Sequence, residues 1–114
     1  MQKIYSMIGF AQKAGKVSSG TTAVKSSLLR QQAYLLIMSC DISENTRESL
    51  ATVCKRQKVP WVILGSKYDL GTSVGKAHRV AVTINEPGMA SHIIELMKPR
   101  GEGLNSTGVV EWPE

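Results

Sequence analysis

No aspartate or glutamate occurs before Asp41, so Lys3, Lys13, Lys16, Lys25 and Arg30 stand without a local counter-charge. No apolar run approaches the roughly 18 residues of a membrane span, and no basic-then-apolar leader opens the chain. A soluble, cytoplasmic protein with no membrane partner is therefore expected. Cysteine is scarce. Cys40 and Cys54 are not spaced as a CxxC pair or a zinc ribbon, and both are expected to be buried, inert thiols. His78 and His92 have no neighbouring ligand pattern and are expected at the surface or its boundary. No acid/base pair, nucleophile–histidine pair or metal cluster can be assembled, so neither catalysis, a metal nor a cofactor is expected. Asp41 and Asp69 lie at or near strand ends, where helix capping explains them.

What is present bounds the protein further. The 114 residues suit one domain, and 42% hydrophobic residues supply a core. A formal charge of +5 and an isoelectric point near 9.4 favour an acidic partner.

The periodicity alternates between helix and buried strand. Ile4, Met7, Ile8, Ala11 and Ala14 recur at helical spacing over about residues 2–14, and Gly15 ends that helix. A short extended piece at Lys16-Val17-Ser18 leads to a second helix capped by Ser19 or Gly20, with Val24, Leu28 and Ala23 as inward candidates. Tyr34-Leu35-Leu36-Ile37-Met38 reads as a strand covered on both faces. After the capping-rich stretch from Asp41 to Thr46, a third helix carries Leu50, Val53 and Cys54 inward. Val59 to Leu64 is the next strand, with Pro60 at its beginning. Ser66-Lys67-Tyr68-Asp69 resembles a capping box opening a short helix with Leu70 and Val74. Val80 to Ile84 is a third strand, and a last helix holds Met89, Ile93, Leu96 and Met97. This order argues an α/β fold with helices on both faces of a sheet. Residues 99–114 hold three glycines and two prolines without helical period, and read as a flexible tail in which Val109 to Pro113 offers a docking peptide.

Two loops invite a ligand. The first is the helix start at Gly20, where backbone amides and the Thr21 and Thr22 hydroxyls suit RNA base edges, with Lys16 and Lys25 on phosphates. A plainer reading has Ser19 and Thr21 capping a helix among solvated lysines. The second loop is Leu64-Gly65-Ser66-Lys67. Its glycines match neither GxGxxG nor GxxxxGK[ST], and Gly75-Lys76 follows the short helix instead of preceding it, which argues against a nucleotide-binding loop. A small residue at Gly65 lets RNA approach the backbone, and loops at strand C-terminal ends gather into one crevice. Ordinary turn chemistry is the alternative.

The chain resembles the ribosomal protein L-seven-Ae/L-thirty-e family, in particular its small bacterial YlxQ-type members. The residues that carry the likeness are Ile8 to Val17, Ser19-Gly20, Asp41, Ser43 to Thr46, Val59-Pro60, Ser66-Lys67, Leu70-Gly71, Val74-Gly75-Lys76 and Pro87 to Ala90, within about residues 4–98. The resemblance implies a three-layer α-β-α sandwich with a mixed central sheet of about four strands. It also implies a non-catalytic, ribosome-associated protein that binds structured RNA, often kink-turns, which are bent duplexes with a bulge beside G·A mismatches. By position, Gly20, Thr21, Thr22 and Ala23 fall at the base-reading helix start, Lys16 at a backbone contact, and Leu64, Gly65 and Ser66 in the bulge-facing loop. Strong binders commonly carry Asn-Glu or Lys-Gln where this chain has Thr22-Ala23, and lysine where it has Ser26. Losing a bidentate base contact costs on the order of 1–3 kcal/mol by analogy with DNA readout.

The expectation is thus an RNA-binding domain over residues 1–98 and a tail over 99–114, monomeric when free. Its site comprises Lys16, Ser19, Gly20, Thr21, Thr22, Ala23, Lys25, Leu64, Gly65, Ser66 and Lys67. Ribosomal RNA and ribosomal proteins are the expected partners. The competing reading is a protein-interaction adaptor on the same fold.

Overall fold

The computed structural model describes residues 2–97 and 110–111. Apart from Val110–Glu111, the expected tail lies outside the described residues. The elements run α1 (Gln2–Lys13), β1 (Val17–Ser19), α2 (Thr21–Leu29), β2 (Leu35–Met38), α3 (Glu44–Gln57), β3 (Trp61–Ile63), α4 (Lys67–Ser73), β4 (Ala81–Ile84), α5 (Pro87–Met97) and β5 (Val110–Glu111). The sheet order is β1-β4-β2-β3-β5. Strands β2 and β3 are parallel, and the other pairs are antiparallel, so the sheet is mixed. Four strands make its body, and the two-residue β5 adds to the β3 edge.

Side-chain alternation along the central strands builds two cores. Leu35 and Ile37 of β2, with Val82 and Ile84 of β4, face Ile4, Ile8 and Ala11 of α1 and Ala90, Ile93 and Met97 of α5. The intervening Leu36 and Met38, with Ala81, face Val24 and Leu28 of α2 and Leu50, Val53 and Cys54 of α3. All four residues of β2 and of β4 are buried for this reason. The result is the α-β-α sandwich expected. Among the described residues, no helix is long and apolar enough to cross a membrane.

Several local expectations are corrected. Tyr34 stays outside the strand and is 45% exposed. Ala23 and Ala14 face solvent. Cys54 is buried, and burial pushes its thiol up to about 12, but Cys40 is exposed because the chain has left β2 by then. His78 and His92 are at the surface as expected.

Candidate nucleic-acid interface

The sheet topology brings the loops together. Strand β4 runs against both β1 and β2, and β3 runs with β2. β1, β2 and β3 therefore end at the same edge, where β4 begins. Backbone hydrogen bonds stitch this edge across. The Gly20 amide donates to the Ala81 carbonyl (3.0 Å), Ser39 to Val80 (2.9 Å) and Arg79 to Lys67 (2.9 Å). The Cys40 amide donates to the Gly65 carbonyl (2.7 Å). The segment 79–81 thus spans the gap between the start of α2 and the turn after β3.

At the start of α2 the N-cap is Gly20, with φ 91° and ψ 151°, a conformation that only glycine adopts at low cost. Glycine brings no capping oxygen, and no side chain caps the helix. The amides of Thr21, Thr22 and Ala23 have no intrahelical acceptor, by helix geometry. Val24 is the first to bond back, to the Gly20 carbonyl (2.9 Å). Thr21, Thr22, Ala23 and Lys25 are exposed. An open groove of about 700 Å³ leads away between α2 and α3, lined by Thr21, Thr22, Lys25, Ser26 and Arg30 on one side and Asn45, Thr46 and Ser49 on the other. The helix itself is held by its buried face, where the Ser27 hydroxyl meets that of Ser18 (2.6 Å) and the Asn85 amide donates to Ser18 (3.0 Å).

The turn after β3 is built differently. Ser66 accepts from the Asp69 amide (3.1 Å), and the Asp69 carboxylate accepts from the Ser66 amide (3.0 Å), completing the capping box. The Asp41 carboxylate, from the end of β2, accepts from the Lys67 amide (3.0 and 3.3 Å). Asp41 is held below the ordinary carboxylate range, first by the neighbouring Ser39 hydroxyl and then by that amide. The Ser39 hydroxyl has no partner within strict hydrogen-bond geometry, so the Lys67 amide is the firmer of the two contacts. Gly65 has φ 63°, and a Cβ there would collide with the Tyr5 hydroxyl and crowd Asp69. Its missing side chain thus answers an internal contact and gives a ligand no closer approach, contrary to the expectation. Leu64 is 1% exposed and packs with Val62 into the α1/α5 core, so its side chain cannot face a ligand. Burial, followed by the neighbouring Asp69 and Cys40 side chains, raises the Tyr5 hydroxyl above its usual value.

Of the expected residues, the fold gathers Ser19, Gly20, Thr21, Thr22, Ala23, Gly65, Ser66 and Lys67 at this edge, with Lys25 one turn along α2. It does not gather Lys16. The Lys16 carbonyl accepts from the Asn85 amide (2.7 Å) beyond the end of β4, at the opposite edge. Lys16 and Gly20 lie four residue steps apart on either side of β1, about 13 Å of extended chain. Arg79, which the sequence reading passed over, lies here instead: a Cβ on Gly20 would be 3.8 Å from the Arg79 guanidinium Nε. The only sequence signal for it was the run Lys76-Ala77-His78-Arg79 before β4. Among the described residues no group of three or more His, Cys, Asp or Glu could hold a metal ion.

The α-β-α sandwich that carries this edge is also the fold that the comparisons with known proteins define. Residues 2–94 match the model of the Ribosomal protein L7Ae/L30e/S12e/Gadd45 family, and the chain belongs to that family. It is 33% identical over 93 residues to the RNA-binding protein YlxQ of Bacillus subtilis, covering 82% of this chain and 93% of that one. It is 35% identical over 86 residues to the large ribosomal subunit protein eL8 of Picrophilus torridus, covering 75% and 68%. Among solved structures, a Bacillus halodurans protein of unknown function superimposes with a TM-score of 0.79 at 26% identity, covering 82% of this chain and 95% of that one.

Proposed function

We propose that this protein is a non-catalytic, cytoplasmic RNA-binding protein that recognises structured, kink-turn-like RNA, in association with the ribosome. The observation that carries this reading is the start of α2, which leaves three amides and two hydroxyls uncapped at a sheet edge flanked by Lys25, Lys67 and Arg79. Amides and threonine hydroxyls both suit the edges of mismatched bases, and the cations suit the phosphates beside them. The relatives named as an RNA-binding protein and as a large-subunit ribosomal protein support the partner class. Thr22 and Ala23 offer fewer side-chain contacts than a longer amide or carboxylate pair, so the backbone carries more of the recognition here.

Binding to a kink-turn RNA and to a plain RNA duplex across a salt series tests the reading. Each phosphate contact should add about −0.9 to the slope of log affinity against log salt. The kink-turn RNA should bind more tightly at every salt concentration. Equal, salt-independent or absent binding to both RNAs contradicts the proposal.

A further inference from the structure

We propose that the residues following β5, Trp112 to Glu114, dock within the same chain in a groove at the sheet edge opposite the α2 start, with the Trp112 indole as the anchor. This inference is independent of the RNA-binding reading above. β2, β3 and α5 all begin at that far edge. The groove has a volume of about 550 Å³ and is lined by Tyr34 before β2, Arg56 and Lys58 at the end of α3, Pro60 before β3, and Pro87 and Ile94 of α5. Tyr34 and Pro87 are exposed and Ile94 is only half-buried, so the described residues leave an apolar surface uncovered.

The sheet register carries the chain into this groove. In β5, Val110 pairs with Val62 and Glu111 with Trp61, antiparallel. One further step of that register sets position 112 opposite Pro60, in the groove's lining. Directly opposed residues point to the same face of a sheet, and faces alternate along each strand. Val62 faces the α1/α5 core, so Pro60 and position 112 share that side, where Ile94 packs. Glu114 falls two residues on, towards Arg56 and Lys58, and no aspartate or glutamate among the described residues lines the groove. An indole followed by an acid thus matches an apolar groove with a basic rim. β5 also needs a further anchor. Residues 98–109 separate it from α5, so closing that connection costs entropy, and two paired residues are too few to hold an edge strand. Burying a tryptophan beside them supplies the anchor.

The test labels the full chain with fluorinated tryptophan, which gives two fluorine resonances, Trp61 and Trp112, assigned with Trp112→Phe. In the parent, both should show little solvent isotope shift between light and heavy water. Ser91→Glu, an exposed position on the groove's lining, and Lys58→Glu should each restore the full shift at Trp112 and leave Trp61 shielded. A parent whose Trp112 carries the full shift overturns the docking. A shielded Trp112 that neither variant exposes also overturns it, since the indole then sits elsewhere. Shielding that is lost on dilution, together with a dimer in sedimentation, overturns docking within one chain in favour of a second copy.

Discussion

Two helices begin at the same edge of the sheet, bridged by the segment 79–81, and their starts are opposites. The start of α4 is closed: Ser66, Asp69 and Asp41 all hold its turn, and Asp41 reaches it from the loop after β2. The start of α2 is open, with a glycine cap and no side-chain acceptor. Free amides at a helix start normally cost stability, and a Ser or Asp cap in place of glycine recovers roughly a few tenths of a kcal/mol. The same chain supplies that remedy at one start and omits it at the other. On the proposed function, the open start is the recognition surface, and the closed one is the scaffold that holds Lys67, Tyr68 and Arg79 beside it.

The largest way to break this pairing is at the seam between the two starts. A Cβ on Gly71 would lie 2.5 Å from the His78 Cα, against backbone that cannot swing aside. Gly71→Ala should destabilise the fold by about 1–3 kcal/mol in a urea melt and displace Arg79 from Gly20. Next in size is the charge at the open start. Lys25→Glu should weaken RNA binding on the order of tenfold, whereas Lys16→Glu, at the opposite edge, should change it much less. Similar losses in both variants would place the RNA across the whole sheet and not at this edge. Ser66→Ala removes half of the capping box and should lower stability by about 1 kcal/mol while leaving RNA affinity nearly intact.

The smallest effect is that of pH on the closed start. The carboxyl of Asp41 is lowered in the folded protein relative to its ordinary 3.8. Its contribution is therefore complete above that value and fades as pH falls through the lowered one. Asp41→Asn should remove this part of the pH dependence, with the loss of stability relative to the parent present at neutral pH and vanishing in acid melts. A parent and variant with the same acid limb would show that Asp41 does not hold the turn.

The sequence made the local devices legible and the distant ones not. The capping box is contained within Ser66 to Asp69 and was readable as a four-residue pattern, as was the fully buried run Leu35 to Met38. Asp41 was assigned to capping near its own position, but it serves an amide 26 residues away, which only the parallel pairing of β2 and β3 brings into reach. Leu64 lies just past β3, where the family resemblance places it in the bulge-facing loop, yet its side chain is buried. Its two-residue spacing from Val62 already pointed it into the same core. Lys16 was grouped with Gly20 by proximity in sequence, although an intervening strand carries neighbours to opposite edges. Arg79 had the reverse problem, being remote from Gly20 in sequence and beside it in the fold.

Hydrogen exchange of individual amides, with and without a kink-turn RNA, tests the central claim most directly. In the free protein the amides of Thr21, Thr22 and Ala23 should exchange rapidly, and those of Lys67 and Asp69 more slowly. On adding the RNA the first three should slow markedly, and Lys67 and Asp69 should change little. RNA that binds without slowing exchange at Thr21, Thr22 and Ala23 would contradict the assignment of the α2 start as the seat.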